Sequence, residues 1–185
     1  GQGVDHRETG QAGPGRGHQI LRGSGMIKAR QLFLFETGPW VTVKDGDPVA
    51  YRLHSRHYSH TVYADGRRDD PTNRARRLIV GPGEKMVLIT RQCDALFAWR
   101  LSLFRADGET GLECTVFRNE GDTRSSHLIR AAEDEAVRRW TVDRMFTYVD
   151  PTRVKSTNPG CCFKAAGWRI CGESKVGLLV MEKRP

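Results

Sequence analysis

The sequence predicts an α+β fold, a mixed and mostly antiparallel central sheet flanked by helices. Three observations carry that reading. Short apolar runs of strand length recur, among them "KMVLIT" (85–90), "LECTVFR" (112–118) and "RMFTYVDP" (144–151). An Asp-Gly turn within "ADGETG" (106–111) marks a hairpin. A single well-patterned helix then follows the second hairpin strand and leads to another strand, which is a strand-to-helix crossover in the middle of the chain.

The elements follow in order. Residues 1–25 are rich in glycine and charge, show no periodicity and precede Met26, so they read as a disordered leader or remnant, with one domain over 26–185. "QLFLFE" (31–36) is a short strand candidate. "LHSRHYSH" (53–60) gathers three of the six histidines, with Tyr58 between two of them and His57 and His60 three apart on a possible helix. Strands are expected in "KMVLIT" and "ALFAWRLSLFRAD" (95–107), the latter returning through the Asp-Gly turn into 112–118. The helix is capped by Ser125 or Ser126, and Leu128, Ala132, Ala136 and Trp140 form its apolar stripe. Ile129 and Val137 widen the stripe, while Arg130, Glu133, Asp134 and Arg138 cover the remainder. Pro151 stops the next strand, "NPGCCFKAAGW" (158–168) forms a short helix ended by Gly167, and "RICG" with "VGLLVMEK" (176–183) closes the sheet as a hairpin. There is no internal repeat.

Composition bounds the function. A length of 185 residues with 38% hydrophobic content suits a single globular core. A net charge of +8 and a pI near 9.6 favour a polyanionic partner, of which nucleic acid is the commonest. The five cysteines, at 93, 114, 161, 162 and 171, include no C-x-x-C pair, which suits reduced thiols in a cytoplasm. No apolar run approaches the roughly 20 residues of a membrane span, and the leader lacks a secretory core.

The 118–127 turn is the first candidate site. Amides at a helix N-terminus point outward with partial positive charge and hold anions without any special side chain. Arg118 and Arg124 flank the turn, and Gly121, Ser125 and Ser126 allow close approach. A phosphate or pyrophosphate seat and an ordinary capped helix with surface arginines both fit this spacing.

"NPGCCFKAAGW" adds a pattern. Phe163-Lys-Ala-Ala-Gly167-Trp168, after Asn158, resembles the short helix that packs beside the acyl-donor arm in the GNAT acyltransferase superfamily. The order of strand, anion-cradling turn, helix, strand and short helix is also that of the GNAT core. The turn departs from the usual Arg/Gln-x-x-Gly-x-Gly/Ala: Arg118-Asn-Glu-Gly121 matches the first half, and serines stand near where the second glycine falls. More narrowly, "HYS" (57–59), "RNEG" (118–121), the serine pair, "TYVDP" (147–151) and "NPGCCFKAAGW" in this order are similar to the Mom-type DNA-modification proteins of bacteriophage Mu and its relatives. The resemblance runs from about residue 30 to the C-terminus.

That resemblance implies an enzyme that adds a carbamoylmethyl group to the exocyclic amine of adenine in double-stranded DNA, in the host bacterial cytoplasm, protecting phage DNA from restriction. It implies catalytic roles for His57, Ser59, Tyr148 and Asp150, and a donor site at Arg118, Gly121, Arg124, Ser125, Ser126 and Asn158. The donor is acetyl-CoA or another acyl or glycyl compound, and iron is a possible requirement, with His57 and Tyr148 as its ligands.

The residues fit such chemistry. Adenine's exocyclic amine is a poor nucleophile and needs a base, for which His57 is the natural proton carrier. Asp150 can polarise that histidine or orient the amine, while Tyr148 can donate a proton or stack on an extruded base. Arg67, Arg68, Arg74, Arg76 and Arg77 lie in one loop-like segment suited to tracking DNA phosphates. Two other readings remain open: a conventional acetyl-CoA-dependent N-acetyltransferase on a small amine or protein, and a non-catalytic DNA-binding protein. The chain shows no membrane segment, and its oligomeric state stays open between monomer and dimer.

Overall fold

The structure, a computed structural model, describes residues 38–60, 78–154 and 156–185. The strand expected at 31–36, the boundary at residue 25 and the arginine segment 63–77 lie outside the described residues. The described part is one compact unit, Gly38–Pro185.

Its elements are β1 (Trp40–Val43), α1 (Pro48–His54), β2 (Glu84–Thr90), β3 (Ala95–Leu101), β4 (Leu112–Asn119), α2 (Ser125–Arg139), β5 (Met145–Val149), α3 (Cys161–Ala165), β6 (Arg169–Glu173) and β7 (Leu179–Lys183). The strands form one sheet in the order β1-β2-β3-β4-β5-β7-β6. Every neighbouring pair is antiparallel except β4 with β5, the pair that the α2 crossover joins. The mixed, mostly antiparallel sheet expected from the sequence is present.

Two apolar layers cover the sheet. On one face Phe97, Trp99, Leu112 and Met145 pack with Leu128, Ile129, Ala132 and Ala136 of α2 and Phe163 of α3. On the other, Ala50 and Leu53 of α1 pack on Val87, Leu96, Ala98 and Val116. The four-residue spacing read in α2 does bury its stripe, but Val137 is half exposed. Glu133, assigned to the polar side, is buried because Trp168 Nε1 and Lys183 Nζ both donate to its carboxylate at 2.5 Å.

Several local expectations are corrected. The β3 strand ends at Leu101 rather than 107, so the hairpin connection is the ten-residue loop 102–111. Residue 124, not a serine, is the N-cap of α2, and it makes no side-chain cap hydrogen bond. His57 and His60 are not on a helix: α1 stops at His54, and 55–60 continue as turns with His57 N bonded to His54 O and His60 N to His57 O. Strand β1 and helix α1 are additions, the latter started by Asp47, whose carboxylate accepts from the Val49 and Ala50 amides, with Pro48 in the first turn.

Strand β4 carries a bulge opposite Ala98–Trp99, where Thr115 is the extra residue. The bulge reverses the alternation of the strand. Cys114 faces the α2 layer, whereas Val116, two residues on, faces α1.

Candidate active site: a cleft where β4 and β5 part

The parallel ladder between β4 and β5 is short. Pairing runs from Leu112↔Met145 to Cys114↔Thr147 and stops there, where the Thr147 hydroxyl donates to the Cys114 carbonyl at 2.8 Å. Beyond this point Thr115–Asn119 and Tyr148–Val149 diverge without pairing to each other. A cleft of about 610 Å³ opens in the gap. Its walls come from four separated stretches of chain: 57–60, 115–117, 147–154 and 160–163, with Leu178 at the edge.

The cleft unites His57, Ser59, Tyr148 and Asp150, the four residues the sequence marked for catalysis. His57 Nδ1 lies 2.7 Å from Ser59 Oγ, and the Ser59 amide donates to the same nitrogen at 3.2 Å. Nδ1 is therefore the acceptor of the neutral ring, and Nε2 carries the proton. Burial, with lesser contributions from His54 and Arg118, lowers the His57 pKa to about 4.

Tyr148 OH donates to Asp107 Oδ2 at 2.8 Å. Burial and that carboxylate push the phenol up to about 12, so it stays protonated throughout the physiological range. Asp107 is held well below the usual carboxylate range, first by Arg105 and then by Tyr148. Asp150 closes a turn: its Oδ1 accepts from the Thr152 amide at 2.9 Å and the Thr152 hydroxyl at 2.6 Å, which lowers its pKa. Its other oxygen faces Arg153 at 3.6 Å, leaving it no contact with His57 among the described hydrogen bonds.

None of the expected donor residues, Arg118, Gly121, Arg124, Ser125, Ser126 and Asn158, lines the cleft. Asn119 organises the turn, its amide donating to Thr123 O and Ser125 Oγ while its carbonyl accepts from Gly121 N. Gly121 is required by packing, since a Cβ there would overlap the Asp94 carboxylate. Arg118 is already engaged, with Glu120 at 2.5 Å and the Arg56 carbonyl at 2.5 Å. Arg56 grips Glu120 with two bonds, of 2.7 and 2.6 Å, and the paired arginines, Arg56 foremost, hold the Glu120 carboxyl well below its ordinary pKa. This cluster fastens the anion turn to the histidine segment. Arg124 and the amides of Ser125 and Ser126 stand at the start of α2, whose first turn holds no acidic residue. The Asn158 side-chain carbonyl accepts from Lys164 at 2.6 Å, tying together the turn and the helix that it precedes.

The cleft also contains groups that sequence reasoning passed over. Tyr58 stacks on His57 with centroids 4.2 Å apart, its hydroxyl meets the Asp150 main chain, and burial raises its pKa. Arg153 donates to the Tyr58 carbonyl at 3.3 Å. Cys162 lines the cleft with its thiol pushed up to about 11 by burial, which makes it inert as a nucleophile. Tyr58 sat inside the quoted "HYS", so its aromatic neighbourhood was the available signal.

A metal does not fit the described residues. His57 Nδ1 is occupied by Ser59 and Tyr148 OH by Asp107, and among the described residues no group of three or more His, Cys, Asp or Glu is placed to hold an ion. The expected iron ligands find no third partner there.

No family model matches the chain, and no curated protein matches it. Solved structures do. The aminoglycoside N-acetyltransferase AAC(6')-Ib11 superposes with a TM-score of 0.56 at 17% identity, over 80% of this chain and 97% of its own. The structure of AAC(6')-Ib in complex with ribostamycin and coenzyme A gives 0.57 at 15% identity, over 78% and 92%. An acetyltransferase from Thermus thermophilus gives 0.50 at 16%, over 79% and 97%. The fold is that of the GNAT acetyltransferases. The order strand, turn, helix, strand and short helix expected from the sequence is the order of β4, α2, β5 and α3. No helix among the described residues is long and apolar enough to cross a membrane.

Proposed function

We propose that this chain is a group-transfer enzyme of GNAT fold whose acceptor is the exocyclic amine of adenine in double-stranded DNA, to which it adds a carbamoylmethyl group. The supporting observation is convergence: "HYS", "TYVDP" and "NPGCCF", distant in sequence and each part of the Mom-type pattern, all line one cleft. The net charge of +8 suits a DNA partner.

The donor's extended arm lies along the unpaired edge of Thr115–Phe117, where strand backbone can bond it as an added strand. Its anionic end meets the amides at the start of α2. The base, once extruded, stacks on the Tyr148 ring, which the Asp107 hydrogen bond holds in place. The amine nitrogen attacks the methylene carbon of an activated carbamoylmethyl donor. The bond from that carbon to the donor's leaving group breaks, the leaving group departs with the electron pair, and the alkylated nitrogen becomes strongly acidic. A base of pKa about 4 is then sufficient, and at neutral pH it is always free to accept. Because Nδ1 faces Ser59, the proton passes from the amine through the Ser59 hydroxyl to His57. Arg153 and Asp150 act as positioning residues by holding the Tyr58 segment against the β5 end.

The test is direct. The protein is expressed in bacteria, their DNA is digested to nucleosides, and masses are measured. A deoxyadenosine heavier by one carbamoylmethyl group is expected, and it should vanish with His57→Ala. Unmodified DNA from soluble, intact protein overturns the proposal.

A second reading, an acetyl-CoA-dependent N-acetyltransferase on a small amine, draws on the neighbour solved with coenzyme A and ribostamycin. Both readings seat an anion at the start of α2, and Glu120 there is already paired with Arg56 and Arg118, so the turn does not separate them. Calorimetry with coenzyme A separates the two: tight binding by this chain, together with unmodified DNA, selects the second.

A further inference from the structure

The loop 102–111 carries two bare apolar side chains near its start, just after β3. Leu103 is 87% exposed and Phe104 92%, the highest values among the exposed large hydrophobic residues described. Single exposed apolar residues need no explanation, but two adjacent ones on an anchored loop do. The base of this loop is anchored at several points. Arg105 bonds to Asp107 and, at 2.5 Å, to Glu113; Arg144 reaches Glu109 at 2.5 Å and the Thr110 carbonyl at 2.9 Å; and Ser102 Oγ donates to the Phe104 carbonyl at 3.0 Å. Gly111 sits so close that a Cβ would fall 2.5 Å from the Arg144 carbonyl. These contacts hold the backbone and leave the pair with no apolar partner among the described residues.

The same loop touches the cleft. Asp107 holds the phenol of Tyr148, a cleft-lining residue. Phe104 is three residues from Asp107, so its Cα lies within about 11 Å of that of Asp107. The exposed Leu103 and Phe104 thus belong to the same loop as the carboxylate that holds a cleft-lining phenol.

We propose that Leu103 and Phe104 form a wedge that enters the duplex and occupies the space left by the extruded adenine. Proteins that unstack DNA do so with Phe, Leu, Ile, Met or Pro, because the vacated stack is an apolar slot of base thickness. The charge of the chain, +8, suits the polyanion that carries such a slot. The inference rests on the DNA reading above, and the two fail in different ways.

The experiment compares modification of one sequence as duplex and as single strand by the wild type and by Phe104→Ala and Leu103→Ala/Phe104→Ala. Since unstacking a step costs a few kcal/mol, the variants are expected to lose about tenfold or more on the duplex and to stay within about twofold of wild type on the single strand. Both residues are exposed, so unfolding midpoints should not move. Equal activity of variant and wild type on the duplex overturns the wedge while leaving the DNA reading intact. A wild type that modifies single strands only also overturns it. No modification of either substrate by the wild type overturns the functional reading itself. Binding to anionic phosphatidylserine vesicles that Phe104→Ala abolishes, with duplex modification unchanged, reassigns the pair to a membrane and overturns the wedge.

Discussion

The two sides of β4 differ sharply. Towards β3 it pairs through seven positions, from Leu101↔Leu112 to Ala95↔Asn119, with the Thr115 bulge taken up on the way. Towards β5 it pairs through three and then lets go. One strand therefore serves both as the centre of the sheet and as the wall of a cleft. The paired side is lined by fully buried Phe97, Trp99 and Leu112, and the parted side by titratable groups and half-buried aromatics. Stability and chemistry are thus divided between the two edges of a single strand.

That division can be tested by substitution. The largest effect is expected on the paired side. Trp99 is fully buried and donates to the Ala132 carbonyl of α2 at 3.0 Å, so Trp99→Ala should cost about 3–5 kcal/mol in denaturant unfolding. A loss under about 1 kcal/mol there would break the comparison. On the parted side the balance reverses. His57→Ala should lower DNA modification about a hundredfold or more, while unfolding stability falls by only about 1 kcal/mol, well below the cost of Trp99→Ala.

Gly121→Ala is intermediate, because the clash with Asp94 displaces the turn rather than the sheet. Thr90 Oγ1 holds Asp94 at 2.5 Å and prevents easy yielding, so about 1–2 kcal/mol of destabilisation with weaker donor binding is expected in unfolding and saturation kinetics. The smallest effect is in pH. The folded His57, at about 4, binds fewer protons than the unfolded ring, at 6.5, so its contribution to stability is full above 6.5 and is lost as pH falls towards 4. The acid limb of the rate profile should lie near 4, and a limb near 6.5 would show an ordinary, solvated imidazole.

The sequence made the crossover and the main helix legible for a physical reason. Leu128, Ala132 and Ala136 repeat at helical spacing, and local periodicity is what one chain displays. Helix α1 was missed although Asp47-Pro48 is a start signal, because its seven residues carry too little periodicity to stand out. Strand β1, four residues long, has less still. Glu133 was misassigned because its partners, Trp168 and Lys183, lie 35 and 50 residues away. The site follows the same rule. His57, Ser59 and Tyr148 were legible as motifs, whereas Thr115, Cys162 and Arg153 enter the cleft only because β4 and β5 part, an event between segments that no local pattern records. Arg118 read as a free cation although Glu120 stood two residues on, and its bond to the Arg56 carbonyl depends on the segment that follows α1.

All four tryptophans meet one helix. Trp40 and Trp99 donate to the Leu128 and Ala132 carbonyls of α2, Trp168 donates to its Glu133, and Trp140 is its final cap. The chain thus carries its own optical reporter. Every indole emits from the surroundings of the helix whose first turn is proposed to meet the donor's anionic end. A ligand settling there and shifting α2 should change the colour and intensity of intrinsic fluorescence. Titration by emission alone, with no label attached, becomes a way to screen compounds for the proposed donor.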